Sequence, residues 1–230
     1  MVEDRFLLIV LLIIYSVCFL GLLIIGVSVI KWNWFMSSVN YAGHNQVCLT
    51  FDDGPAEYTV AILDVLKKHG VKAAFFVIGH KCEEQRELLK RIIAEGHLIG
   101  NHSYSHTNNL GWASTGKIRE EIEQTNMIIK NSTGLAPRYF RPPFGVTNPN
   151  IASAVGLLGM KSVGWSIRTY DTVVKDADRL VSKVNSRLNQ KGNIILMHDT
   201  CKESVEALEK IIFLCKKRGM NIVTIDEIKQ

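Results

Sequence analysis

Four short clusters gather the residues able to do chemistry: Asp52-Asp53-Gly54-Pro55, His102-Ser103-Tyr104-Ser105-His106, Arg141-Pro142-Pro143-Phe144-Gly145 and Leu196-Met197-His198-Asp199. Adjacent carboxylates repel and lose solvation unless a cation or hydrogen-bond donors compensate. Taken alone, Asp-Asp-Gly-Pro reads as an ordinary surface turn. Here it follows the apolar run Val47-Cys48-Leu49-Thr50-Phe51, which sets it at the end of a buried strand. His102 and His106 stand four residues apart, a spacing from which both imidazoles reach one ion on a helical turn or tight loop. Two neutral nitrogens and one carboxylate make a three-ligand set with positions left open for water and substrate. Taken singly, loop histidines that cap or pack explain the second cluster equally well, and only the combination with the aspartates favours a metal.

The elements that must position these clusters alternate regularly. Strands are expected over Val47–Phe51, Ala73–Ile78, His97–Asn101, Arg138–Arg141, Met160–Trp165, Asn193–Met197 and Asn221–Ile225. Amphipathic helices are expected over Glu57–Lys68, Glu83–Glu95, Ser114–Lys130, Asn150–Leu158, Ala177–Asn189 and Glu203–Lys217, several of them closed by a glycine suited to the left-handed cap position. Such alternation suits a barrel of parallel strands or a doubly wound open sheet, and both carry their chemistry at the carboxyl ends of strands. The four clusters follow that rule. His80 lies on the same expected face, where a substrate contact is conceivable, whereas His69 and His97 adjoin glycines at element ends and read as packing residues.

Ahead of this domain runs Phe6–Ile30, free of charged residues and followed by Lys31, Trp32, Trp34 and Phe35, an interfacial set of a cation and aromatics. At about 1.5 Å per residue it is long enough to cross a hydrocarbon core of about 30 Å. The expected organisation is an uncleaved membrane anchor over 1–31, a polar linker over 32–45 and a catalytic domain over 46–230. Arg5 and the terminal amine precede the span and Lys31 alone follows it closely, so the domain is expected on the outer face of the cytoplasmic membrane. The formal net charge of +5 is spread over helical surfaces, which argues against a nucleic-acid partner. Five cysteines make no redox or metal motif and read as buried thiols, with a Cys48–Cys201 bridge left open. Oligomeric state is not legible.

In this order, the four clusters resemble the motifs of the NodB-like polysaccharide deacetylases, carbohydrate esterase family four, from about Val47 to the C-terminus. The resemblance implies a distorted parallel (β/α) barrel of about seven strands and metal-dependent hydrolytic deacetylation of N-acetylated sugars in a polysaccharide, such as peptidoglycan or a related N-acetylglucosamine polymer. It implies Asp53, His102 and His106 as metal ligands, Asp52 as general base paired with Arg141, and His198 as general acid. A backbone N–H near Phe144 would stabilise the oxyanion, and Trp165 and Leu196 would wall the acetyl pocket. The metal is expected to be zinc, with cobalt, nickel or iron alternatives for the same donors.

One motif departs. The family commonly carries Asp-x-x-Asp-Trp after the fifth strand, its first aspartate orienting the catalytic histidine, whereas this chain reads Arg168-Thr169-Tyr170-Asp171-Thr172. The usual partner of His198 is therefore expected to be missing. Either Asp171 substitutes, or Arg168 points to the substrate, or the acid step is impaired; the first two together are favoured, with Arg168 and Asp171 counted among the substrate-binding residues. Competing readings are a catalytically impaired glycan-binding protein of the same fold, an O-acetyl esterase, and an iron-dependent oxygenase built on the same donor set.

Overall fold

The computed structural model describes residues 2–228, so Met1, with the terminal amine invoked for orientation, and the last two residues lie outside it. Helix α1 (Val2–Ser28) precedes nine strands, which alternate with helices. The strands are β1 (Ser38–Val39), β2 (Gln46–Gly54), β3 (Ala74–Val77), β4 (Leu98–Asn101), β5 (Tyr139–Phe140), β6 (Lys161–Val163), β7 (Ile167–Arg168), β8 (Asn193–His198) and β9 (Asn221–Ile222). The helices are α2 (Thr59–His69), α3 (Gly79–Cys82), α4 (Arg86–Ala94), α5 (Thr115–Thr133), α6 (Pro149–Leu157), α7 (Ala177–Arg187) and α8 (Lys202–Lys217).

Every pairing is parallel, in the order β1-β6-β5-β4-β3-β2-β8-β7, with β9 added beside β2. The outermost strands β1 and β7 do not pair with each other among the described residues, so the sheet curls into an incomplete (β/α) barrel. Residues of a strand point alternately to its two faces. On β2, Val47, Leu49 and Phe51 therefore face outward into a core shared with Ile62, Leu63 and Leu66 of α2 and Ile211 and Ile212 of α8. Cys48 faces inward, with Ala74, Phe76 and Ile194. Thr50 and Asp52 continue the inward series, which carries a carboxylate into the barrel mouth. With both faces covered, a parallel strand reads as a nearly unbroken apolar run, as Val47–Phe51 does.

Most expected elements form, within a few residues. The helix expected over Glu83–Glu95 is α4, which starts only at Arg86, after Gln85 has donated its side chain to the Pro55 carbonyl at 3.1 Å; the short α3 before it is not among the expected elements. The strand expected over Met160–Trp165 stops at Val163, and β7 resumes two-stranded pairing with β8 after the turn. Ser38–Val39 pairs with Ser162–Val163 and so belongs to the sheet, which corrects the expected linker over 32–45. Two-residue strands carry too little alternation to be read locally. All five cysteines are free, so the open Cys48–Cys201 bridge does not form. Burial pushes the Cys48, Cys82 and Cys215 thiols up to about 12.

Candidate active site

The parallel register brings the ends of β2, β4, β5 and β8 to one rim, and the four clusters meet there. Between Asp52 and Gly54 the β2–β3 register slips by one residue. A bulge re-aims the side chain it carries, and Asp53 turns toward the histidine loop, its backbone left-handed at φ 72. Gly54 admits no side chain, because a Cβ there would lie 2.0 Å from Asp199 Oδ2.

Asp53 Oδ1 lies 3.2 Å from His106 Nε2 and 3.5 Å from His102 Nε2. The ligand atoms of the three residues fall within 4.8 Å of one another. His102 Nδ1 bonds the Arg141 carbonyl at 2.7 Å, and since only an N–H can donate to a carbonyl, Nε2 is left with its lone pair toward Asp53. Burial, and the imidazole of His102 beside it, lower His106 to about 4, so its ring is neutral at physiological pH. Burial alone would raise Asp53, yet the three neighbouring imidazoles hold it well below the usual carboxylate range. Its Oδ1 is buried without a hydrogen-bond donor. A buried acceptor without a donor, faced by two imidazole nitrogens free to donate lone pairs, fits a divalent cation, and the two-nitrogen, one-carboxylate set suits zinc or another first-row ion.

Ser103, His106 and Phe144 are also left-handed, at φ 65, 50 and 59. For a non-glycine residue that conformation costs about 1–2 kcal/mol and persists where neighbours over-determine it. The neighbours are visible. Asn101 Oδ1 accepts from Ser103 N at 2.8 Å, Ser103 Oγ accepts from His106 N at 3.1 Å, and Lys81 Nζ donates to the Asp53 carbonyl at 2.8 Å. Glu121 of α5 accepts from Tyr104 N at 3.1 Å and from Ser105 N at 2.7 Å, clamping the loop between the two histidines.

Asp52 is buried, with Oδ1 2.6 Å from Arg141 Nη1 and Oδ2 3.7 Å from His102 Nε2. Arg141 is wholly inaccessible, yet each arm is used: Nη1 also donates to Thr50 Oγ1, Nη2 to the Gly164 carbonyl and Nε to the Val163 carbonyl. The guanidinium stacks 4.1 Å above the Phe76 ring.

His198 lies opposite, its Nε2 3.9 Å from Asp53 Oδ2. Its Nδ1 is 2.8 Å from Asp171 Oδ1, while Asp171 Oδ2 accepts from His198 N at 2.6 Å and from Ser204 Oγ. Burial lowers His198, but the Asp171 carboxylate, together with the charges of Asp52 and Asp53, outweighs it and the imidazolium is favoured above its ordinary range. The usual partner position is indeed not an aspartate, and of the outcomes expected for His198 the geometry is that of substitution by Asp171. Asp171 supplies the contact from three residues beyond Arg168, and being fully buried it lines none of the cleft, so its placement among substrate-contacting residues is corrected.

These groups surround a cleft of about 260 Å³, whose remaining walls are Phe144, Gly145, Trp165, Arg168, Thr172 and Leu196. Gly145 is left-handed, and a Cβ there would strike the Trp165 ring at 2.4 Å. The Phe144 N–H makes no hydrogen bond among the described residues, and its ring packs 4.7 Å from His106. The Arg168 guanidinium lies between the rings of Trp165 and Tyr170, with Nε buried and unpartnered. His80 bonds the Tyr104 carbonyl and does not line the cleft; His69 pairs with Glu209, and His97 accepts from Ala73 N in the core.

Residues 40–163 match the family model for polysaccharide deacetylase. The chain belongs to the polysaccharide deacetylase family. It is 40% identical over 190 residues to the peptidoglycan-N-acetylglucosamine deacetylase of Bacillus cereus, across 80% of this chain and 68% of that protein. It is 37% identical over 186 residues to the corresponding deacetylase PgdA of Listeria monocytogenes, spanning 80% of this chain but 39% of that protein's length. It is 35% identical over 186 residues to the peptidoglycan-N-acetylmuramic acid deacetylase PdaA of Bacillus subtilis, across 79% of this chain and 70% of that protein. Among solved structures it resembles a peptidoglycan N-acetylglucosamine deacetylase, with TM-score 0.78, 37% identity and coverage of 83% and 92%. It also resembles a CE4 family pseudoenzyme from Bacillus anthracis, with TM-score 0.77, 32% identity and coverage of 84% and 69%. The expected fold and the deacetylase class are borne out.

Of the supporting residues, Lys81, Glu121 and Ser204 escaped the sequence reading. Glu121 carried a signal, for it falls on the apolar face of α5 with Ile118, Ile122, Thr125 and Ile129, where an unpaired carboxylate would be costly.

Proposed function

We propose that this protein hydrolyses the acetamide of N-acetylated sugars in peptidoglycan at the outer face of the cytoplasmic membrane, using a divalent metal held by Asp53, His102 and His106. One observation carries the reading: a three-ligand cluster shares its cleft with an arginine-paired aspartate on one side and an aspartate-held histidine on the other. When bound, the metal polarises the acetyl carbonyl and lowers the pKa of water from about 15.7 toward 7.

The chain's own residues do the rest. Asp52 accepts the proton of the attacking water, and Arg141 keeps its carboxylate oriented and charge-balanced inside the barrel. The Phe144 N–H points a dipole at the oxyanion that forms as the water oxygen joins the carbonyl carbon. His198 passes the proton on Nε2 to the departing nitrogen as the carbon–nitrogen bond breaks, since an amine is too basic to leave as an anion. Acetate and the free amine are the products. Trp165 and Leu196 confine the acetyl methyl. Arg168, a cation among the walls of the same cleft, suits a sugar with an anionic substituent, and N-acetylmuramic acid carries a carboxylate. Thr172, where a tryptophan is usual, leaves room beside it.

The anchor supports the location. Arg5–Ser28 has mean hydropathy 3.1 and none of its most apolar window is buried in the protein. A catalytically impaired protein of the same fold is the second reading, since a pseudoenzyme shares the fold; the pairing of Asp52 with Arg141 and of His198 with Asp171 favours turnover. Acetate release from peptidoglycan fragments, acetylated chito-oligosaccharides and O-acetylated glycans across zinc, cobalt, nickel and iron tests the reading. Asp52→Asn should abolish release while metal content is unchanged. No turnover of any acetylated glycan by the metal-loaded chain would refute it.

A further inference from the structure

The end of α1 is not joined to the catalytic domain by a free linker. The last carbonyls of a helix have no partner of their own, and here Thr147 supplies two: its N–H donates to the Val27 carbonyl at 2.9 Å and its hydroxyl to the Gly26 carbonyl at 3.2 Å. Thr147 is buried and follows Phe144-Gly145-Val146 directly, so the span ends against the loop that walls the catalytic cleft. Ile30, just beyond, is 3% exposed, and Trp34 packs on Gly26.

Val27 also lines a second cleft, of about 480 Å³, together with Leu110, Trp112, Phe144, Val146 and Ile151. Phe144 is the wall common to this cleft and the catalytic one. Trp112 is 90% exposed, and the rim holds the uncharged polar side chains of Thr107, Asn108 and Asn150. An exposed tryptophan above an apolar cleft with a polar, uncharged rim is the composition of a membrane interface, and Val27 sets its height, because the same residue closes the span.

We propose that this face rests on the outer leaflet of the bilayer that holds α1, with Trp112 at the headgroup level, so that the catalytic cleft opens beside the membrane surface. The occupant of the apolar cleft is lipid. The substrate is then glycan within reach of the membrane, nascent or still lipid-linked, and not strands deeper in the wall. This rests on α1 spanning the bilayer, and the test separates the two.

Single environment-sensitive probes, in nanodiscs holding one full-length chain each and lipid spin-labelled near the headgroup or in mid-chain, read both. Cys18, the one exposed cysteine, reports the span; Trp112→Cys and Asn108→Cys in a Cys18→Ser background report the cleft; Phe213→Cys on α8 is the aqueous control. Cys18 should be quenched by the mid-chain label and positions 112 and 108 by the headgroup-level label, with blue-shifted emission at 112 and none at 213. If Trp112→Cys unfolds at a lower temperature than the parent, position 108 on the rim decides. Quenching at Cys18 with none at 112 and 108 overturns the docking and leaves the anchor standing. A blue shift at 112 without lipid quenching means that protein fills the cleft, which also overturns it. No quenching anywhere removes the anchor and the docking together.

Discussion

Replacing Asp171 by Asn is the perturbation that bears most directly on the chemistry, because it changes one charge and almost no volume. The carboxylate does three things: it accepts from His198 Nδ1 at 2.8 Å, from His198 N at 2.6 Å and from Ser204 Oγ. An amide has one oxygen. If that oxygen keeps the backbone and serine bonds, its NH₂ faces Nδ1 and forces the neutral ring to carry its proton on Nε2, losing the imidazolium. If it keeps Nδ1, the His198 N–H and the serine face a donor. Either way a charge-assisted bond worth about 1.5–3 kcal/mol disappears, and at 1.36 kcal/mol per tenfold that lowers kcat/KM by about 10- to 160-fold. Burial then acts on His198 unopposed by its nearest carboxylate. Its folded pKa falls, the protonated acid is lost at lower pH, and the alkaline limb of the kcat/KM profile moves to lower pH. The assay is acetate release against pH, with metal content and thermal unfolding measured on the same sample. Unchanged kcat/KM with an unmoved alkaline limb would refute the claim that Asp171 sustains the acid; loss of metal would mean that it supports the ligand cluster instead.

Glu121→Ala should leave two loop N–H groups without acceptors, at about 1–3 kcal/mol each when buried, and loosen the loop between the metal histidines. A metal affinity lower by about 10- to 100-fold, the usual effect of losing an outer hydrogen-bond partner, is expected in chelator competition. Acidification should release metal only well below the ordinary imidazole range: His106 sits at about 4, so protons compete for that ligand near pH 4 and not near pH 6.5. Metal content after equilibration across pH 3–7 checks it, and release centred near pH 6.5 would mean that His106 does not set the acid limit of metal binding.

Residue types and local spacing were enough for the strand–helix alternation, the parallel sheet and the apolar N-terminal helix. They also exposed the clusters, since Asp52-Asp53 and His102–His106 are near neighbours in the chain and strand ends converge by rule in parallel α/β sheets. What depends on closing the sheet could not be read from spacing and was reached only through the family resemblance. Arg141 reaches Asp52 across 89 residues of chain and Asp171 reaches His198 across 27, and which aspartate wins that place depends on where β7 ends and how the turn after it folds, not on motif spacing. Arg168 at the usual aspartate position left several outcomes open because motif spacing cannot tell which of two carboxylate positions lies under the imidazole; Asp171, one of the outcomes expected, takes it. Glu121 and the short strand β1 acquire meaning only from neighbours distant in sequence. So does Thr147, whose bonds to the last turn of α1 join the span to the active-site loop: a helix end leaves its carbonyls open to any donor, and only the folded domain determines which donor arrives.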